Sequence, residues 1–129
     1  MNDKKYILIG TTATNRSELH KEILPEWVNY FNELDKSKYE LKWFINIDFV
    51  KTLNEPINIK NNNFKEIIKN IETEYIFDKK KVGNFLDACI KISSRIHTFV
   101  NRNNLNTDNV YIFWLEDDWI LKKERIELN

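Results

Sequence analysis

Three consecutive carboxylates, Glu116, Asp117 and Asp118, directly follow the apolar run Val110–Leu115. A short continuous apolar run is typical of a strand buried on both faces of a parallel sheet, and ligands of open α/β sheets bind beyond the carboxyl ends of such strands. Adjacent carboxylates repel one another unless a cation or hydrogen-bond donors compensate them. Oxygen ligands on a short loop suit Mg²⁺ or Mn²⁺, which also take substrate phosphates. The residues therefore predict a metal-bridged phosphate site at Glu116–Asp118.

The competing interpretation of the same triplet is a solvated acidic surface turn, because such runs are common on protein surfaces. The large apolar neighbours Leu115 and Trp119 favour the site, since a purely solvated run rarely lies between residues of this kind.

Polar residues also follow the first predicted strand, Tyr6–Ile9. The segment Gly10–Thr14 is predicted to be a polar loop that offers hydroxyls and backbone N–H groups, and Arg16 follows it. A helix is predicted from Ser17 onward, so the loop would present a helix N-terminus to an anion. The alternative for Arg16 is a solvated cation in the first helical turn.

Two further segments contain candidate ligand-binding residues. The second predicted strand, Leu41–Ile47, ends at Asp48, where an acidic residue often meets a ribose or a base; a turn aspartate bonded to the local backbone is the alternative. Lys79–Lys81 and Gly83 precede another helix and suit an anion, although a solvated charge run is the commoner explanation.

The chain reads as strand, helix, strand, helix, helix and strand, which predicts an α/β fold with a Rossmann-like, doubly wound, mostly parallel sheet in a single domain of residues 1–129. Pro25 is expected to kink the first helix or to start a second one. Apolar spacing predicts an amphipathic helix over residues 64–75. The helix that begins at Phe85 has a broad apolar face, which suggests packing across the sheet.

Composition sets limits on the class of protein. The 129 residues are 42% hydrophobic and 31% charged, with two glycines and two prolines, as in a folded globular chain. The formal net charge of zero argues against nucleic-acid binding driven by bulk charge. The single Cys89 excludes an internal disulfide. No apolar run reaches the ~18–20 residues of a membrane helix, and the N-terminus is no signal peptide, so a cytoplasmic protein without a transmembrane segment is expected.

The remaining reactive residues are expected to be structural. His20 and His97 have no Cys or His at metal-ligand spacing, and both are interpreted as satisfied structural histidines. Cys89 is interpreted as a small core residue, and no serine lies in a nucleophile-elbow pattern.

Taken together, the ordered segments resemble the N-terminal, nucleotide-sugar-binding half of a GT-A-type glycosyltransferase of the family-2-like kind. The resemblance covers nearly the whole chain. It rests first on a strand that enters a Thr-rich loop and a helix at Thr11–Arg16, and on a strand that ends in an aspartate at Trp43–Asp48. It rests further on a Lys/Gly/Asn helix start at Lys80–Asn84, and on an acidic element at Trp114–Trp119 that is similar to the metal-binding Asp-x-Asp motif.

The resemblance implies a nucleoside diphosphate sugar donor bound through Mn²⁺ or Mg²⁺. Asp118 would ligate the metal directly, and Glu116 and Asp117 would contact ribose, sugar or metal-bound water, with Glu116 as a second candidate ligand. The nucleotide would also be bordered by residues from the other three segments: Thr11, Thr12, Arg16, Asp48, Lys81 and Gly83.

The acceptor half of such enzymes would follow the acidic motif, and only eleven residues follow Asp118. The domain is therefore expected to be a fragment of a larger enzyme, truncated after the acidic motif, or else a reduced chain that retains donor binding alone. The acceptor, a glycan, lipid or protein, is unknown, and no catalytic base can be assigned. The alternative from another class is a non-catalytic α/β module that binds a nucleotide or a protein. A receiver-like phosphotransferase fits less well, because Gly10, Thr11 and Thr12 stand where such domains carry an aspartate.

Overall fold

The computed structural model describes residues 4–14, 17–48, 64–77 and 85–121, with Ser17 and Phe77 described for their backbone alone. Strands and helices alternate along these residues, which confirms the predicted α/β class. The elements are β1 (Lys5–Thr14), α1 (Ser17–Asn32), β2 (Tyr39–Asp48), α2 (Phe64–Ile67), β3 (Glu72–Phe77), α3 (Phe85–Arg102), a 3₁₀ turn (Thr107–Asn109) and β4 (Val110–Trp114).

The described strands form one parallel sheet in the order β3-β2-β1-β4. β1 pairs with β2 along ten residues, from Lys5 opposite Tyr39 to Thr14 opposite Asp48. The chain moves outward from β1 to β3 and then crosses back to place β4 on the other side of β1. All four strands therefore end at the same edge of the sheet, and the strand order reverses between β1 and β4.

Helices cover both faces of the sheet. Successive strand residues point to opposite sides, so each strand presents apolar side chains to both layers of helices. The face that carries Ile9, Trp43 and Ile45 packs against α1 and α2, whose apolar residues include Leu24, Phe31 and Phe64. The opposite face carries Leu8, Phe44 and Ile76 and packs against Ile92 and Ile96 of α3. These two cores confirm the predicted doubly wound, Rossmann-like architecture.

At Gly10, side chains of α3 and β4 lie close over β1. A Cβ atom there would lie 2.9 Å from Ile92 Cγ2 and 3.1 Å from Trp114 Cζ3. Such distances are too short for carbon atoms, so the missing side chain lets Ile92 and the Trp114 indole lie over the strand.

The prediction of one helix over residues 64–75 is wrong. α2 ends at Ile67, Asn70 has a left-handed backbone with φ of 65°, and residues from Glu72 onward form β3 beside β2. Phe64, Ile68 and Ile71 do face the core and Tyr75 packs against it, but these four residues lie on α2, the turn after it and β3. The Thr, Tyr, Ile and Phe content of residues 72–77 agrees with a strand.

Two expectations about the strands also need correction. Gly10–Thr14 is not a loop, because β1 continues through Thr14. β4 is not buried on both faces: it lies at the edge of the described sheet, with Tyr111 48% and Ile112 61% exposed. An apolar run predicts a strand but not the strand's position in the sheet.

The two longer helices differ from expectation in detail. α1 continues through Pro25, so this residue does not start a second helix. Pro25 has no N–H to donate to the carbonyl of Lys21, which is an exposed residue. α3 buries only the stripe Ala88, Ile92 and Ile96 fully, while Phe85, Leu86 and Ile90 of its predicted apolar face are exposed.

None of the helices in the described ranges is both long and apolar enough to cross a membrane.

Candidate functional site

Polar side chains from β1, β2 and the segment after β4 meet on the α3 face at the carboxyl edge of the sheet. Thr12 and Thr14 of β1 lie opposite Asn46 and Asp48 of β2 in the strand register. Glu116, two residues after β4, joins them through a hydrogen bond donated by the Thr12 hydroxyl. We call these five residues the carboxyl-edge cluster. The alternation of side chains along each strand is what places all of them on one face.

Glu116 is fixed by two donors. Thr12 Oγ1 donates to one carboxylate oxygen, and the Trp114 indole Nε1 donates to the other at 2.7 Å. Trp114 is itself held by its packing over Gly10. Charge-assisted hydrogen bonds of this kind compensate for the partial burial of the carboxylate. The Glu116 side chain is thus oriented before any ligand binds.

The cluster contains two buried oxygen atoms that have no hydrogen-bond partner. They are Thr14 Oγ1 and Asn46 Oδ1; among the described residues only the Asn32 amide oxygen shares this property. Asn46 is fully buried, and its amide nitrogen donates to Asp48 Oδ1 at 3.1 Å. Buried polar atoms are nearly always paired, so unpaired ones beside the Asp48 carboxylate mark a place where a ligand or water can bind.

Asp117 points to the opposite face, toward α1. The Asp117 residue is 3% exposed, and its carboxylate oxygen Oδ2 accepts a hydrogen bond from the Thr14 backbone N–H at 3.2 Å. The same oxygen lies 2.7 Å from His20 Nε2, which donates because an ionised carboxylate can only accept. His20 packs on the Phe64 ring at 4.7 Å between centroids. Asp117 therefore has buried protein partners on two elements.

Asp118 is exposed and lies in a turn closed by the Trp119 N–H, which donates to the Glu116 carbonyl at 3.3 Å. We call Glu116–Trp119 the acidic turn. Its three carboxylates diverge, with Glu116 on the α3 face, Asp117 on the α1 face and Asp118 in solvent, and this divergence reduces their mutual repulsion. No group of three metal-ligating side chains occurs within the ranges that the structure describes.

The structure brings together some of the residues predicted for the site and separates others. Thr12, Asp48 and Glu116 lie in the carboxyl-edge cluster. Thr11 is fully buried on the α1 face, where its hydroxyl accepts a hydrogen bond of 2.7 Å from Trp43 Nε1. The predictions for Arg16, Lys81 and Gly83 lie outside the described residues.

The sequence interpretation did not include Thr14, Asn46 and Trp114 among the site residues. A parity rule could have found them, because each is an even number of residues from Thr12, Asp48 or Glu116 along its segment. His97 is exposed, and its Nε2 lies 3.0 Å from the Asn101 amide nitrogen, so it has a partner, as expected, on the surface of α3. His20 is buried as a structural histidine would be, and its partner is Asp117.

Cys89 of α3 is half-buried rather than a core residue. Burial raises the pKa of its thiol, and the negative charges of Glu116 and Asp48 raise it further. A raised pKa leaves less thiolate at any pH below it, and the thiolate is the reactive form. Cys89 is thus a poor candidate for a nucleophile.

We expect iodoacetamide to alkylate Cys89 more slowly than a free thiol near pH 8, with a midpoint in the rate-against-pH profile above that of the free thiol. Glu116→Gln removes one nearby negative charge and should lower this midpoint only in part, because burial is the larger cause. Asp108→Asn, an exposed change in the 3₁₀ turn, serves as the control. Equal midpoints for Glu116→Gln and the unmodified chain would contradict the assigned electrostatic influence.

Comparisons of the chain with protein-family profiles, curated proteins and solved structures find no match.

Proposed function

We propose that the chain binds a nucleoside diphosphate sugar at the carboxyl-edge cluster, as the donor-binding part of a glycosyltransferase that passes the sugar to an acceptor. The observation that supports the proposal most directly is the pair of unpartnered buried oxygens, Thr14 Oγ1 and Asn46 Oδ1, beside Asp48. They lie where a polar ligand of this sheet is expected.

The position of the cluster supports the proposal because ligands of open α/β sheets bind where the strand order reverses. In the order β3-β2-β1-β4 this point lies between β1 and β4. The hydrogen bond from Thr12 to Glu116 spans these two segments at their carboxyl ends. A ligand bound here would contact residues of β1, β2 and the segment that follows β4.

The chemistry of the cluster suits a ligand rich in hydrogen-bond donors. Asp48, Asn46 and Glu116 offer acceptor oxygens, and ribose hydroxyls or the N–H groups of a base donate to such oxygens. We assign Asp48 and Asn46 to the nucleoside and Glu116 to a ribose or sugar hydroxyl. The Glu116 carboxylate keeps lone pairs beyond those used by Thr12 and Trp114.

A divalent metal fits this donor set only together with the diphosphate. Glu116 and Asp117 are held by protein donors, which leaves the exposed Asp118 as the principal carboxylate ligand. Mg²⁺ commonly binds through one or two carboxylates plus substrate phosphates, and Mn²⁺ accepts the same oxygen ligands. Bound there, the metal would neutralise charge on the leaving diphosphate. Asp118 would bind and orient the metal.

The test is a calorimetric titration of the chain with UDP and with GDP, each in the presence and absence of Mn²⁺. We expect nucleotide binding that Mn²⁺ strengthens, and little binding of Mn²⁺ alone because one exposed carboxylate forms a weak site. Asp118→Asn should weaken the Mn²⁺-dependent binding by at least about tenfold. Asp48→Asn should weaken binding with or without the metal, because a charge-assisted hydrogen bond is lost.

Asp108→Asn is the matched control, since it removes an exposed carboxylate from the 3₁₀ turn before β4. Folding of each variant is checked by circular dichroism. Failure of a folded chain to bind either nucleotide, with or without Mn²⁺, would refute the proposal.

A second candidate is the non-catalytic α/β module that binds a nucleotide or a protein. The internal hydrogen bonds of Glu116 and Asp117 favour it, because carboxylates held by the protein are less available to a metal. Nucleotide binding that is unaffected by Mn²⁺ and by Asp118→Asn would select this candidate. Under either proposal the setting is the cytoplasm, where an unpaired thiol such as Cys89 remains reduced.

A further inference from the structure

Helix α1 contacts the acidic turn at two points. His20 Nε2 donates to Asp117 Oδ2 at 2.7 Å, and Trp27 Nε1 donates to the Trp119 carbonyl at 2.6 Å. His20 and Trp27 are seven residues apart, which is close to two helical turns, so both side chains project from the same face of α1. The two acceptors are two residues apart in the turn. One face of α1 therefore forms hydrogen bonds to the residues immediately before and after Asp118.

Both donors are fixed by the packing around them. His20 is 3% exposed and lies against Phe64 of α2. Trp27 is 7% exposed, with the ring of Phe31 at 6.1 Å and that of Phe113 at 5.7 Å between centroids. Side chains packed in this way lose little further freedom when they form a hydrogen bond.

We propose that His20 and Trp27 are positioning residues that set the conformation of the acidic turn from its α1 side. By anchoring Asp117 and Trp119 they direct Glu116 toward Thr12 and leave Asp118 facing solvent. Asp117 is then the anchor of the turn rather than a ligand-binding group. The significance for nucleotide binding rests on the proposed function, whereas the effect on the turn does not.

The physical basis is preorganisation. Without the two contacts the turn would sample several conformations, and a ligand would bear the free-energy cost of selecting one of them. Neither donor needs to touch the ligand. The substitutions therefore have to separate loss of the hydrogen bond from loss of packing.

Three variants and one control make this separation. Trp27→Phe removes the indole N–H and keeps an aromatic ring, and His20→Leu removes the ring donor. His20→Gln keeps an N–H near the position of Nε2. Trp43→Phe is the control, because it also removes a buried indole donor from this core. The Trp43 indole donates to Thr11 and not to the acidic turn.

The first readout is amide hydrogen exchange at Trp119, whose N–H closes the turn on the Glu116 carbonyl. We expect Trp27→Phe and His20→Leu to speed this exchange about three- to tenfold, the loss that one hydrogen bond of ordinary net strength produces. His20→Gln should restore protection to within about twofold, and Trp43→Phe should leave it unchanged. Unchanged protection in both Trp27→Phe and His20→Leu would overturn the inference.

The second readout is nucleotide affinity. Trp27→Phe and His20→Leu should weaken binding about three- to tenfold, and His20→Gln should rescue it. Equal losses in Trp43→Phe would mean a general effect of core destabilisation and would overturn the positioning role. A chain that binds no nucleotide disproves the proposed function, and the exchange measurement still decides whether α1 positions the turn.

Discussion

Replacement of Phe31 by alanine is expected to lower the free energy of unfolding by about 3–5 kcal/mol. Phe31 is 1% exposed and contacts four aromatic rings at centroid distances of 5.4–6.1 Å: Trp27, Tyr30, Trp43 and Phe113. These rings belong to α1, β2 and β4. The cavity left by the phenyl group would therefore open between the helix and two strands of the sheet, where no single element can close it by moving.

The measurement is urea denaturation followed by tryptophan fluorescence, with the slope of the transition checked for constancy. Phe85→Ala is the matched control, because it is the same substitution at a residue that is 62% exposed on α3. It should change the free energy of unfolding by no more than about 0.5 kcal/mol. Similar losses of stability for Phe31→Ala and Phe85→Ala would contradict the exposed position of Phe85 and would favour the broad buried face predicted for α3.

Gly10→Ala is expected to destabilise the fold by about 1–3 kcal/mol, because the added methyl group would overlap Ile92 and the Trp114 ring. Ile92→Ala alone should cost about 2–5 kcal/mol as a buried large-to-small change. In the double variant the space left by Ile92 accepts the new methyl group. The double variant should therefore lose less stability than the two single variants added together.

The double-mutant cycle is measured by the same urea transitions, with an expected coupling of about 0.5–3 kcal/mol. Gly10→Ala paired with Ile45→Val provides the control, since Ile45 lies on the opposite face of the sheet. Additive losses for Gly10→Ala and Ile92→Ala would show that the glycine is not required by the approach of α3.

The fold class could be predicted because local patterns agree with the architecture in most segments. The alternation in β2, the helical spacing in α1 and the apolar run of β4 each belong to one element. Residues 64–75 were assigned to one helix because their apolar spacing fits a helix, while the turn at Asn70 and pairing with β2 determine the result. Local periodicity carries no information on which strand will supply a neighbour.

The candidate site was predictable to the extent that it depends on strand ends. Asp48 and Glu116 were identified because the carboxyl edge of a parallel sheet gathers such residues. The hydrogen bond between His20 and Asp117 was not predictable, because the two residues are 97 positions apart and no local pattern connects them. Thr11 and Thr12 are adjacent in sequence, yet they point to opposite faces, and only the strand that replaced the expected loop determines which one reaches Glu116.

The pairing of β1 with β4 also bears on how the chain is made. β1 and β2 can pair once Asp48 has left the ribosome, but Thr12 meets Glu116 only after a further stretch of chain, since these residues are 104 positions apart. Until Val110–Trp114 has been synthesised, one edge of β1 lacks its partner strand. Unpaired strand edges and apolar surface in a nascent chain favour aggregation. β1, an inner strand of the described sheet, is thus the strand whose second edge stays unpaired until residues 110–114 have been made.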